Sequence, residues 1–179
     1  MKGLPVILML LLAVLGCKEK SKKDANQAEE VATNLTTEET PVKFPVYDYD
    51  GLEPILNYDD DKTYIVNFWA TWCKPCIEEL PDFERTFAEY EDKNVRLILV
   101  SLDMPSMWKS KLEPYVEEHG LKGEVIILDD PKMNDWIPKI DAEWDGGIPA
   151  SLIYNNEKRQ FYAQGFTYEE LKSELDKFL

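Results

Sequence analysis

Two cysteines two residues apart, Cys73-Lys74-Pro75-Cys76, are the residues of this sequence best placed to do chemistry. Before them lies Thr63–Trp69, β-branched and aromatic throughout, which reads as a buried strand. After them, from Pro75 to about Asp92, Ile77, Leu80, Phe83, Phe87 and Tyr90 recur at spacings of three and four, the pattern of an amphipathic helix. The pair therefore falls where a strand hands over to a helix. At a helix N-terminus the unpaired N–H groups and the macrodipole favour an anion. Cys73 should ionise below the ~8.5 of a free thiol. More thiolate means more of the attacking species and a better leaving group afterwards. Cys76, one turn into the helix, lies on the same side, close enough to resolve a mixed disulfide. Pro75 in the first turn forfeits no hydrogen bond. A dithiol of this kind carries two electrons by itself, so no bound cofactor is needed.

Other chemistries fit less well. A zinc site wants four ligands, and beyond the pair the chain has only Cys17 and His119, so no metal site is expected. His119 precedes Gly120 at a predicted helix end, where an imidazole caps the last carbonyls. A peroxidase, with an isolated reactive cysteine near Thr and Arg, is one alternative, and Thr71 two residues before Cys73 keeps it open. A module that binds a partner without turnover is the other, though the retained pair of cysteines argues against it. The chain has 179 residues, 20 basic and 35 acidic, for a formal charge of −15. Such a balance excludes a general nucleic-acid binder, which needs a basic face.

The remaining elements alternate. Phe44–Tyr47 reads as a short edge strand because Pro45 cannot donate to a ladder. Pro81 interrupts the hydrogen bonding of the helix after the cysteines and predicts a kink. Val95–Leu102 is a second buried strand, Ser106–His119 a helix, Val125–Leu128 a strand, and Pro131–Ile140 a short helix or irregular segment. Ile148–Tyr154 follows Gly146-Gly147 as a strand, Asn155–Lys158 turns the chain, and Arg159–Ala163 returns. Thr167 and Glu170 form a capping box opening the last helix. The order predicts an α/β fold, a central mixed β-sheet flanked by helices, with a parallel βαβ core and an antiparallel hairpin. Trp69 belongs to the strand core, Trp72 shields the rim of the dithiol, and Trp144 belongs to the core or to a substrate groove.

The run Trp72-Cys73-Lys74-Pro75-Cys76, with Gly147-Ile148-Pro149-Ala150 further on, resembles the thioredoxin superfamily over most of residues 41–179. Asn67-Phe68-Trp69-Ala70-Thr71-Trp72-Cys73 through Cys76-Ile77-Glu78-Glu79-Leu80-Pro81 resembles its membrane-tethered TlpA/ResA group of envelope thiol-disulfide oxidoreductases. The resemblance implies a thioredoxin-like fold and protein-disulfide reduction, with Cys73 attacking and Cys76 resolving. It implies a cis Pro149 beside the dithiol and a substrate cleft involving Trp72, Lys74, Pro75, Ile148 and Pro149. Thioredoxin itself carries a buried Asp where this chain has Asn67. The related group offers a carboxylate three residues after the second cysteine, here Glu79, on the Cys76 face of the helix. Glu79 is thus expected either to handle the Cys76 proton or to be a solvated helix acid or a salt-bridge partner. The implied partners are disulfide-containing envelope proteins and a membrane electron donor of the DsbD/CcdA kind, and the implied role includes cytochrome c maturation among several.

The first forty residues have a different character. Leu4 to Gly16 is an apolar run of 13 residues, too short to cross a hydrocarbon core ~30 Å thick but suited to a signal peptide. It ends in Val14-Leu15-Gly16-Cys17, which resembles the bacterial lipoprotein signal and implies lipid attachment at Cys17. Lys18 to Thr40 is polar and lacks aromatics, so it reads as a flexible tether. The expected organisation is a signal peptide over 1–16, a lipidated Cys17 and tether over 17–40, and a thioredoxin-like domain over 41–179, facing the periplasm from a bacterial envelope membrane.

Overall fold

The computed structural model describes residues 41–179. The expected signal peptide, Cys17 and tether lie outside the described residues. The expected edge strand is two residues long, β1 (Val46–Tyr47). Pro45 lacks an N–H, but its carbonyl accepts the Ile127 N–H at 2.9 Å, so the ladder starts on an acceptor alone. Helix α1 (Tyr49–Leu52) and a 3-10 turn over Glu53–Asn57 follow. Asp48 caps α1 by accepting the Gly51 N–H at 3.0 Å. Sequence reasoning assigned no element here, because Gly51 and Pro54 break the pattern. Burial of Leu52, Ile55 and Leu56 in the core holds a stretch too short to be helical alone.

Strand β2 (Thr63–Trp69), helix α2 (Lys74–Tyr90) and strand β3 (Val95–Ser101) form the expected parallel βαβ unit. The helix predicted over Ser106–His119 is present but interrupted. It runs as α3 (Pro105–Met107), a π-helical turn over Trp108–Leu112, and α4 (Glu113–His119). Pro114 has no N–H to donate and its ring would crowd the preceding turn. The helix widens there instead, and the Glu113 N–H reaches back five residues to the Trp108 carbonyl. Gly120 closes α4 in the left-handed region at φ 59°. His119 Nδ1 lies 2.9 Å from the Tyr115 carbonyl, and its ring stacks on Tyr115 with centroids 4.0 Å apart. That is the capping role expected of it.

Strand β4 (Glu124–Leu128), helix α5 (Met133–Ile140), strand β5 (Ala150–Tyr154), strand β6 (Arg159–Tyr162) and helix α6 (Tyr168–Leu175) complete the domain. Thr167 and Glu170 make the predicted capping box. The six-stranded sheet has the order β1-β4-β3-β2-β5-β6. Its first three pairings are parallel and the last two antiparallel. Every residue of β2 is buried, as a central strand covered on both faces requires. Its alternation decides what each side chain meets. Tyr64, Val66 and Phe68 point to a cluster with Leu52, Trp136, Ile140 and Trp144. Ile65 and Trp69 point to a second cluster with Cys76, Leu80, Phe83, Leu112 and Leu171. Asn67, between Ile65 and Trp69 in the alternation, therefore faces the helix that carries the cysteines.

Candidate active site

The chain leaves β2 at Trp69 and makes one tight turn, in which the Cys73 N–H bonds the Ala70 carbonyl at 3.1 Å. Cys73 is the N-cap of α2, and its Sγ accepts the Cys76 N–H at 3.3 Å. One of the helix's orphan donors thus points at the sulfur that must carry negative charge when reduced. Cys73 and Cys76 are joined as a disulfide, with Cα atoms 5.3 Å apart. The two sulfurs are not equivalent. Cys73 keeps 6% of its surface exposed and Cys76 none. An incoming disulfide meets Cys73 alone, and Cys76 waits behind it.

Register brings the second motif alongside. Phe68 pairs with Ala150 across the antiparallel β2–β5 ladder, so Ile148 and Pro149 lie level with the turn into the cysteines. The Ile148–Pro149 bond is cis, as the resemblance implied. The Ile148 carbonyl oxygen is 3.7 Å from Cys73 Sγ. Trp144 belongs to the core, not to a groove. It is buried against Phe68, Trp136 and Phe161, and its Nε1 donates to the Gly147 carbonyl at 2.8 Å. It ties the cis-proline loop to the sheet.

Trp72 stands 56% exposed beside the disulfide. Lys74 and Pro75 sit on the exposed first turn of α2. The Lys74 side chain is in solvent, with its Nζ 3.5 Å from Glu78.

Glu79 is not a solvated acid. It is only 5% exposed. Its Oε1 accepts the Asn67 Nδ2 at 2.8 Å and its Oε2 the Phe166 N–H at 2.8 Å. Asn67 also bonds Ser151 Oγ at 3.2 Å, its direct partner across β5. Burial pushes the Glu79 carboxyl up to about 7; the Phe166 and Asn67 hydrogen bonds work against the shift, and Asp82 adds a little to it. A carboxyl poised near neutrality can take or give a proton at physiological pH. A Cβ on Gly165 would stand 3.0 Å from Glu79 Oε2 and 3.3 Å from Pro149 Cγ. Gly165, Glu79 and the cis-proline are thus packed together, and a side chain at 165 would force its neighbours to give by a few tenths of an ångström.

Sequence reasoning missed Asp103. Its buried carboxylate accepts the Thr71 N–H at 3.0 Å, the Thr71 hydroxyl at 2.6 Å and the Ser101 hydroxyl at 2.9 Å. Trp108 Nε1 donates to its carbonyl at 2.7 Å. Asp103 clamps the turn that presents Cys73 to the end of β3. Only pairing of β2 with β3 makes that contact, so no local signal announced it.

The AhpC/TSA family profile matches residues 37–158. The chain belongs to the AhpC/TSA family. It is 28% identical over 180 residues to the thiol-disulfide oxidoreductase ResA of Geobacillus thermodenitrificans, covering 96% of this chain and 91% of that one. It is 27% identical over 179 residues to ResA of Geobacillus kaustophilus, covering 95% and 91%. Among solved structures it is similar to a thioredoxin-family thiol:disulfide interchange protein from Chlorobium tepidum. That match has a TM-score of 0.53 and 21% identity, over 65% of this chain and 79% of that one. A DsbF homologue from Corynebacterium diphtheriae gives a TM-score of 0.54 at 16% identity, over 66% and 73%. The fold is thioredoxin-like, and within the AhpC/TSA family the Cys73–Cys76 pair has the geometry of a redox-active centre.

Proposed function

We propose that this AhpC/TSA family member is a lipid-anchored thiol-disulfide oxidoreductase of a bacterial envelope, working mainly as a protein-disulfide reductase. The observation that carries the reading is the asymmetry of the pair: one sulfur at the helix N-terminus with a trace of exposure, the other fully buried behind it. In the reduced protein the Cys73 thiolate attacks a substrate disulfide and expels one substrate sulfur as a thiolate. Cys76, once deprotonated, attacks Cys73 Sγ, re-forms the disulfide and releases the second substrate sulfur. Two electrons pass from the dithiol to the substrate, and the two thiol protons end on the substrate sulfurs or solvent. Glu79 takes the Cys76 proton in this scheme, and its carboxyl near neutrality suits the task. Asn67 and the Phe166 N–H hold that carboxyl in place.

Pre-reduced protein should reduce insulin disulfides, and the Cys76→Ser variant should accumulate mixed disulfides through Cys73. A folded, reduced protein that opens no protein disulfide ends this reading. Equilibration against a glutathione series measures the potential and so the direction of transfer. The anchor is assigned to Cys17, and intact mass spectrometry of the membrane fraction should find it acylated. The electron source is a membrane protein of the DsbD/CcdA kind, and its deletion should leave Cys73 and Cys76 oxidised in cells. Apocytochrome c is one of the substrates to try first, alongside other disulfide-bearing envelope proteins.

A further inference from the structure

A groove of about 380 Å³ opens beside the disulfide. Trp72, Ile148, Met104, Leu128, Met133 and Trp136 contribute apolar side chains to its lining. Trp72, Met104 and Met133 are three of the six large apolar side chains exposed among the described residues. Their meeting in one place is unlike the scatter expected of ordinary surface. Two of them are methionines, whose flexible thioethers accept varied shapes. The charged side chains that line the groove are Asp103, Asp129 and Asp130, with no lysine or arginine among them. Asp103 is committed to Thr71 and Ser101. Asp130 accepts the Tyr49 and Lys132 N–H groups and is half-exposed. The Asp129 carboxylate is exposed and has no hydrogen-bond partner among the described residues. The Lys132 side chain, in the same loop, is in solvent and does not line the groove.

We propose that this groove seats the stretch of a substrate protein flanking its reactive cysteine, and that it selects stretches combining a bulky apolar residue with a lysine or arginine. The apolar side chain enters between Trp72 and Met133. The cation faces Asp129 and Asp130. Trp72, next to Cys73 in the chain, and Ile148, whose carbonyl is 3.7 Å from Cys73 Sγ, both line the groove, so a chain seated in it delivers its sulfur to Cys73. The formal charge of −15 favours the encounter with the same cationic segments. This inference rests on the redox reading above and deepens it by naming a substrate class.

The test uses the reduced full chain and three disulfide probes. Two are homodisulfides of equal-length peptides, one with Phe-Lys-Lys beside the cysteine and one with Phe-Glu-Glu. The third is 2-hydroxyethyl disulfide, small and neutral. At low ionic strength the cationic peptide should be reduced at least about tenfold faster than the anionic one. Salt near 0.5 M should compress that ratio in the unmodified protein. Asp129→Asn should shrink the ratio and Asp129→Lys should abolish it, with folding checked by circular dichroism. Replacing Phe by Ser in the cationic peptide should slow it several-fold. Equal rates for the two charged peptides, with the small disulfide reduced normally, overturn the groove assignment and leave the redox reading standing. Reduction of none of the three overturns both. Self-association that Met133→Lys dissolves would make a second copy of the chain the occupant and overturns the assignment as well.

Discussion

Asn67 Nδ2 donates to Glu79 Oε1 at 2.8 Å, joining the middle of the central strand to the second turn of the helix that carries the cysteines. The buried strand position thus holds a carboxylate without bearing one. An amide that donates to the charged acid and, turned over, accepts from the neutral one can follow the proton without a second charge in the core. Asn67 Oδ1 has no partner among the described residues, so it is free to accept in that turned state.

The carboxyl of Glu79 makes stability depend on pH. Its folded value of about 7 lies above the ordinary 4.5, chiefly through burial. The folded state therefore binds the proton more tightly than the unfolded chain. Its contribution is complete below pH 4.5 and is lost as the pH rises through 7, roughly 3 kcal/mol over the interval at about 1.4 kcal/mol per unit. Glu79→Gln, neutral throughout, should flatten the urea midpoint over that range and be the more stable protein at pH 8. The same variant should lose an inflection near pH 7 in the exchange rate and slow turnover on the order of 10²-fold. An unaltered pH–rate profile would return Glu79 to a purely structural part.

Gly165→Ala tests the packing above that carboxyl. The new methyl would stand 3.0 Å from Glu79 Oε2 and must displace it from the Phe166 N–H. The variant should lose about 1 kcal/mol of stability. Its Glu79 carboxyl, deprived of a hydrogen bond that favours the charged form, should titrate above the parent's in carbon-detected NMR.

Asp103→Ala leaves the Thr71 N–H and the Thr71 and Ser101 hydroxyls without their buried acceptor. A loss of about 2–3 kcal/mol is expected from denaturant unfolding. The turn carrying Cys73 loosens at the same time, so the thiolate absorbance of Cys73 should titrate at a different pH from the parent's. Thr71→Val, which removes the 2.6 Å bond but keeps the backbone one, should show a smaller change of the same kind, about 1 kcal/mol.

Two tryptophans should separate stability from exchange. Trp72→Ala removes an exposed ring and should move stability by no more than about 0.5 kcal/mol, while reduction of protein disulfides slows several-fold. Trp144→Phe removes the Nε1 bond to the Gly147 carbonyl and should cost about 1–2 kcal/mol, read as a lower Tm with the disulfide intact.

Much of this protein is written locally. The run Thr63–Trp69, the apolar spacing from Ile77 to Tyr90 and the Thr167–Glu170 box each specify their element through short-range physics, and each forms within two residues of expectation. Gly120 and His119 end their helix for the same reason. Local signals are weak or conflicting in the α1 stretch that only core burial holds, and in the helix that Pro114 forces into a π turn.

The sequence by itself determined which atoms can react, since two residues between cysteines at a strand-to-helix junction place both sulfurs on one side of one helix turn. Only the tertiary structure decided the state of the groups around them. Glu79 is pushed toward neutrality because the fold buries it, while Asn67 from β2 and the Phe166 N–H of the segment before α6 hold its carboxylate and temper that shift. Asp103 holds the turn only because β3 lies beside β2. Burial, and the protonation that follows from it, depends on partners distant along the chain, and no pattern of neighbouring residues encodes them.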